Sequence, residues 1–149
     1  GLPGLETRLP LMFDALVSKG RPEFAGRGLE AFVDLTATAP AKIYNLPGKG
    51  AIQPGYDADI AIWDPDREVT ITDEAMHDLT GFTPFAGYRV TGWPETVIRR
   101  GEVVVSEGTL RAKAGSGRWL SRTGGPAAEP TGKLVLEMDP ERNFGATIL

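Results

Sequence analysis

Acid–base chemistry in this chain turns on one residue, because His77 is its single histidine and it contains no cysteine. An imidazole works as a general base when a carboxylate orients it and a substrate proton lies within hydrogen-bond reach. Asp78 and Thr80 stand beside it in sequence. Sequence neighbours seldom provide that geometry, so the plainer reading is a surface histidine on a short helical turn. The absence of cysteine removes disulfides, thiolate metal sites and thiol nucleophiles, and one histidine cannot build a histidine-rich metal site.

Carboxylates are the next candidates. Asp57 and Asp59, and again Asp64 and Asp66, are spaced i, i+2. On a strand each pair points to one side, where it could offer oxygen ligands to a divalent cation. The competing reading is that they satisfy turn amides and keep an edge soluble. Gly115-Ser116-Gly117-Arg118 has a phosphate-loop look but lacks its lysine and following helix, so a turn is expected. Trp63, Trp93 and Trp119 could line a groove, although buried tryptophans at strand ends or subunit contacts are commoner. Glu6 and Arg8 are expected to form a structural salt bridge.

The elements that must position these residues fall into zones. Leu9, Leu11, Met12, Ala15, Leu16 and Val17 form a helical stripe, with Pro10 in its first turn and Gly20 as its C-cap. Residues 21–28 read as a loop and 29–46 as two short helices. Leu29, Phe32, Val33 and Thr36 define one buried face, Pro40 breaks it, and Thr38 caps the restart. Residues 49–105 read as mostly β, with strands at 49–52, 59–64 and 69–71 and one helical turn at 73–79. A hairpin at 97–105 turns at Arg100-Gly101-Glu102, with another turn at Ser106-Glu107-Gly108. From residue 111 the chain reads as a tail, with a linker at 122–132 and one apolar patch, Leu134-Val135-Leu136. Such a tail is expected to be mobile or to lie across another domain or subunit.

Length and charge narrow the classes further. At 149 residues the chain fits one domain but is too short for a complete (β/α)₈ barrel, which needs about 200. With 16 basic and 20 acidic side chains the net charge is −4, a poor match for nucleic acid or an anionic membrane. No apolar run approaches the roughly 18 residues of a membrane span. The start at Gly1 lacks a methionine and any signal-peptide pattern, so the chain is expected to be processed or a piece of something longer.

Two stretches carry a resemblance. Residues 36–44 (TATAPAKIY) and 50–64 (GAIQPGYDADIAIWD) resemble the C-terminal signature of cyclic amidohydrolases. Residues 1–11 (GLPGLETRLPL) resemble the loop and helix after the eighth barrel strand of hydantoinases and dihydropyrimidinases. Residues 83–94 (TPFAGYRVTGWP), 97–105 (VIRRGEVVV) and 115–120 (GSGRWL) resemble their later segments. The resemblance covers residues 1–122. It implies an α/β fold, incomplete by itself: the last part of a TIM (β/α)₈ barrel in residues 1–48, then the C-terminal share of a composite β-sandwich in 49–110. Residues 73–89 would make an excursion back toward the barrel, and 111–149 would be an extended tail at a subunit or domain contact.

The same resemblance implies a whole enzyme that opens a cyclic amide with metal-activated hydroxide. Its cofactors would be two divalent metals, usually zinc in the family, bridged by a carboxylated lysine. The family's ligands and catalytic aspartate would lie upstream of Gly1, so no catalytic or metal residue is assigned to this chain. Gly1 and Leu2 alone would touch the substrate rim. Implied partners are the N-terminal barrel portion, a small cyclic amide and further copies in a dimer or tetramer, in a cytoplasmic setting. Allantoinase-like and dihydroorotase-like hydrolases share this C-terminal plan. A non-catalytic, dihydropyrimidinase-like scaffold is an alternative of another class, although such relatives carry basic, Ser/Thr-rich tails and this tail has few serines. A stand-alone interaction domain is disfavoured, because the 29–46 helices need something to pack on. The isolated chain is expected to show no hydrolase activity and no stoichiometric zinc. Elemental analysis finding two tightly held metals on it would overturn that expectation.

Overall fold

The computed structural model describes residues 3–125 together with Gly132 and Glu141. Helices come first and a sheet follows. Helix α1 (Leu5–Phe13) runs straight into a π-helical turn (Asp14–Ser18), and a 3₁₀ turn (Pro22–Phe24) leads to α2 (Gly28–Val33). A second π-helical turn (Asp34–Thr38) joins α2 to α3 (Ala39–Ile43). Strands β1 (Ile60–Thr70), β2 (Arg89–Arg99), β3 (Glu102–Ser106) and β4 (Thr109–Leu110) form one antiparallel sheet in sequence order. The expected mixture of helix and sheet is present, but the described strands form a meander rather than an alternating parallel α/β pattern. Two tight turns explain this. Arg100 and Gly101, then Glu107 and Gly108, all take positive φ, the backbone that folds a strand directly onto its neighbour.

The helices differ from the sequence pattern in instructive ways. The first begins at Leu5, so Pro10 lies inside it rather than in its first turn. Its buried face is Thr7, Pro10, Phe13 and Asp14, two of them polar, which an apolar stripe overlooks. Gly20 follows with φ +64, as expected of a cap. Pro40 does not break the second helical run. The wider π turn just before it puts Pro40 at the start of α3, where its missing N–H is tolerated. Of the predicted face only Phe32 is buried; Leu29 is 56% and Val33 47% exposed.

The strands differ too. The predicted 59–64 and 69–71 strands are one strand, which crosses Pro65 where its ladder with β2 shifts register between Asp64 and Glu68. A proline is tolerated at such a bulge because no ladder bond is asked of it. Strand β2 carries Gly92 and Pro94. Residues 49–52 are bends, not a strand, and 73–79 hold a single turn (Met76 N–H to the Asp73 carbonyl, 3.3 Å) instead of a helix.

The core joins the two parts. Phe13, Leu16 and Phe32 are buried together, and Trp63 of β1 packs on them. Trp63 stacks on Phe13 at 4.6 Å and meets Phe32 edge-on at 5.3 Å. Aromatic pairs of this kind add about 0.5–1.5 kcal/mol beyond their buried area. Gly92 lies under the Phe13 ring with φ +94, and a Cβ there would overlap it. Beside it, Thr91 donates its N–H to Asp14 Oδ1 (3.0 Å) and accepts from Ser18 Oγ (2.8 Å). Strand β3 pairs with β2 over Thr96–Arg99, so among the described residues these two helix side chains act where no further strand flanks Thr91. Asp14 is buried and also pairs with Lys19 at 2.6 Å.

A second polar node fixes the start of the sheet. Lys49 pairs with Asp57 at 2.7 Å and with Asp59, whose Oδ1 accepts the Arg100 N–H at 2.8 Å. Its hydrogen bonds to Asp57 and then to Asp59 raise the Lys49 ammonium above its ordinary value. Burial pushes the Asp59 carboxyl up, but the hydrogen bonds from Lys49 and Arg100 and their charges together hold it below the usual carboxylate range.

Two outcomes follow from these contacts. Helix propensity alone says Gly28→Ala should gain up to about 1 kcal/mol. The new Cβ would overlap the Leu16 carbonyl, so the variant should instead lose about 1–3 kcal/mol, the range for overpacking. A denaturant midpoint gives the sign, and an increase would refute this packing. The Asp59 pair is partly exposed and contributes less than about 1 kcal/mol. With a depressed carboxyl, that share should be full above the ordinary Asp value and vanish as pH falls through the lower folded value. With a raised ammonium, it should also vanish at alkaline pH, above the ordinary Lys value. Lys49→Met should flatten the stability profile in both windows. Identical profiles for the two proteins would show the node to be inert.

Candidate functional site

His77 lies in the 71–88 segment that links β1 to β2. Its carboxylate partner is not Asp78. Glu6, in the first turn of α1, accepts the His77 backbone N–H at 2.9 Å through Oε2 and meets Nδ1 at 2.9 Å through Oε1. Glu6 therefore spends both oxygens on His77 and does not form the expected pair with Arg8. Asp78 is taken by Thr80, accepting its N–H at 3.0 Å and its hydroxyl at 2.7 Å. Those two bonds hold the Asp78 carboxyl below the usual range.

The segment around His77 is built by similar short bonds. Ile71 donates its N–H to the Tyr88 carbonyl at 2.9 Å and accepts from Gly87 at 2.8 Å, which closes the base of the loop. Asp73 accepts the N–H of buried Thr83 at 2.7 Å. Glu6 and His77 border a cleft of about 430 Å³ whose walls include Ile71, Met76, Trp93, Val105 and Leu110, with Arg67 at its edge. A bidentate carboxylate on an imidazole and its own backbone is a clamp. It fixes the loop on α1 and brings no nucleophile to the imidazole.

The other candidates separate. Asp57 and Asp59 converge on Lys49, which supplies the positive charge a cation would have supplied. Asp64 Oδ1 accepts the Asp66 N–H at 3.0 Å, a turn bond. The 115–118 stretch is a turn, with Ser116 N–H bonded to the Lys113 carbonyl at 3.2 Å and Ser116 held by Arg99 and Arg100. Trp63 is in the core, Trp93 lines the cleft, and Trp119 is 92% exposed, so the three do not share a groove. Gly1 and Leu2, the expected rim residues, lie outside the described residues. Among the described residues no three His, Asp or Glu side chains converge as a metal site. No helix among them is long and apolar enough to cross a membrane. The sequence reading gave Glu6 the wrong partner and missed Asp14; their partners lie 71 and 77 positions away. An acidic residue followed four places later by Ser18 was the available hint at Asp14.

Known proteins place this arrangement. A family model described as Amidohydrolase family matches residues 26–105. A D-hydantoinase of Ralstonia pickettii is 41% identical over 123 residues, 82% of this chain and 26% of that protein. A D-phenylhydantoinase of Escherichia coli O1:K1 / APEC is 39% identical over the same length. Among solved structures, a D-hydantoinase (dihydropyrimidinase) from Thermus sp. superposes with a TM-score of 0.75 at 32% identity, covering 87% of this chain and 27% of that one. An L-hydantoinase (dihydropyrimidinase) from Arthrobacter aurescens also gives 0.75, at 36% identity over 82% of this chain. The chain thus spans about a quarter of the length of the curated relatives it matches. More than half of its residues match one family model, and the chain belongs to the amidohydrolase family.

Proposed function

We propose that this chain is the C-terminal part of a metal-dependent cyclic amidohydrolase that opens the ring amide of a hydantoin, a dihydropyrimidine or a similar small molecule. The observation that carries the reading is the 41% identity to a D-hydantoinase over 123 residues, together with the matching helix-and-sheet geometry. In this reading residues 1–48 end a barrel and residues 49–110 belong to a β-sandwich completed by the rest of the protein. Residues 73–89 reach back to the barrel, and 111–149 run to a domain or subunit contact. Further copies in a dimer or tetramer complete the particle, and the cysteine-free sequence suits a reducing cytoplasm.

Two zinc ions bridged by a carboxylated lysine do not fit the donors of this chain. Its one histidine is clamped by Glu6, Lys49 is committed to two aspartates, and Lys19 is committed to Asp14. In this reading the ligands and the proton-transferring carboxylate belong to residues outside it. What this chain supplies is position. The Glu6–His77 clamp holds the start of α1 on the 71–88 segment, and the Asp14–Thr91 bond holds its end against β2. In this reading Gly1 and Leu2 would touch the substrate rim.

The test uses the whole protein that contains this chain. Hydantoin, 5-phenylhydantoin and dihydrouracil should be ring-opened, with activity lost on chelation and regained with a divalent metal. Turnover of allantoin or dihydroorotate alone would move the protein to a neighbouring specificity. No turnover of any cyclic amide by metal-loaded protein would favour a scaffold and end the hydrolase reading.

A further inference from the structure

The residues after β4 form neither helix nor strand up to Gly125, yet they follow a defined course. Arg111 donates its N–H to the Val104 carbonyl at 2.9 Å. Ser116 is then gripped at the β2–β3 turn, its hydroxyl by Arg99 Nη2 at 2.8 Å and its carbonyl by Arg100 Nη2 at 3.0 Å. A few residues later the chain reaches the far end of the helices. Arg122 lies over the Tyr44 ring at 5.3 Å, and Asn45 Nδ2 donates to the Thr123 carbonyl at 3.1 Å. Gly125 is buried there, where a Cβ would come within 2.8 Å of Asn45 Cβ.

We propose that residues 116–125 are an intramolecular strap that locks the sheet to the end of α3, with Asn45 as its catch. The argument is that these contacts close a ring. Asn45 stands three residues before Gly48, whose carbonyl accepts the Asp57 N–H at 3.0 Å. Asp59 accepts the Arg100 N–H at 2.8 Å, and Arg100 in turn holds Ser116. The strap returns from Ser116 to Asn45. Every link but the last joins residues that are near one another on the sheet side. The Asn45–Thr123 bond spans 78 positions and completes the circuit. Asn45 suits the task for two separate reasons. Its φ of 49° is one that asparagine tolerates at a helix end, and its amide is a donor aimed at an otherwise unpaired type of group, a tail carbonyl.

This proposal does not depend on the hydrolase reading, and its test reads no activity. In the whole protein, Asn45→Gly keeps the left-handed backbone but loses the amide. Asn45→Asp keeps the shape but sets a carboxylate against a carbonyl. Both should speed limited tryptic cleavage after Arg118 and Arg122 about fivefold or more, the scale of one lost hydrogen bond. Unchanged cleavage in both variants would overturn the catch. A double variant, Asn45→Cys with Thr123→Cys, replaces side chains 3.4 Å apart. Under mild oxidation it should form a disulfide within one polypeptide, located by peptide mass. Failure to bridge, or a bridge between two copies, would overturn the intramolecular strap.

Discussion

The structure depends on how a helix side chain satisfies a strand that has run out of neighbours. Thr91 lies where β2 extends beyond β3, and a backbone N–H and C=O left bare there would each cost free energy if buried. Asp14 and Ser18 take both. Because these two residues sit on one π-helical turn, that turn must face the strand, and Phe13 is then carried over Gly92. The stacking of Trp63 on Phe13 follows from the same placement. A polar constraint sets the register, and the aromatic contacts supply the stability.

That order of cause also bears on what the sequence made legible. The β2–β3 hairpin was readable because its turn carries Arg100-Gly101, a local signal. The cap at Gly20 and the turn at 115–118 were readable for similar reasons. Strand β2 was not, because Gly92 and Pro94 lower strand preference and their reason for being there is the Phe13 ring on the opposite element. Pro65 hid the continuity of β1 in the same way. The Glu6–His77 clamp joins residues 71 positions apart and leaves no periodic trace at either end.

The family motifs at 36–44 and 50–64 correspond to a place where the chain is crowded. Helix α3 ends, the chain turns through Asn45 and Gly48, and Lys49 gathers two aspartates before β1 begins. The motif aspartates thus read as chemistry in the sequence and act as structure in the fold. The exposed apolar residues of α2 and its continuation, Leu29, Val33 and Leu35, are the counterpart of that tidy junction. They belong to a chain that spans about a quarter of the length of the relatives it matches.

The span of the Asp14–Thr91 bond has a consequence during synthesis. Its two ends are 77 residues apart, so at typical elongation rates Asp14 emerges about 4–15 seconds before its partner exists. Helical turns form in far less time than that. Through the interval the new helix holds a carboxylate and a phenylalanine ring prepared for a strand still inside the ribosome. The junction of helix and sheet can therefore close only after Thr91 and Gly92 have been made.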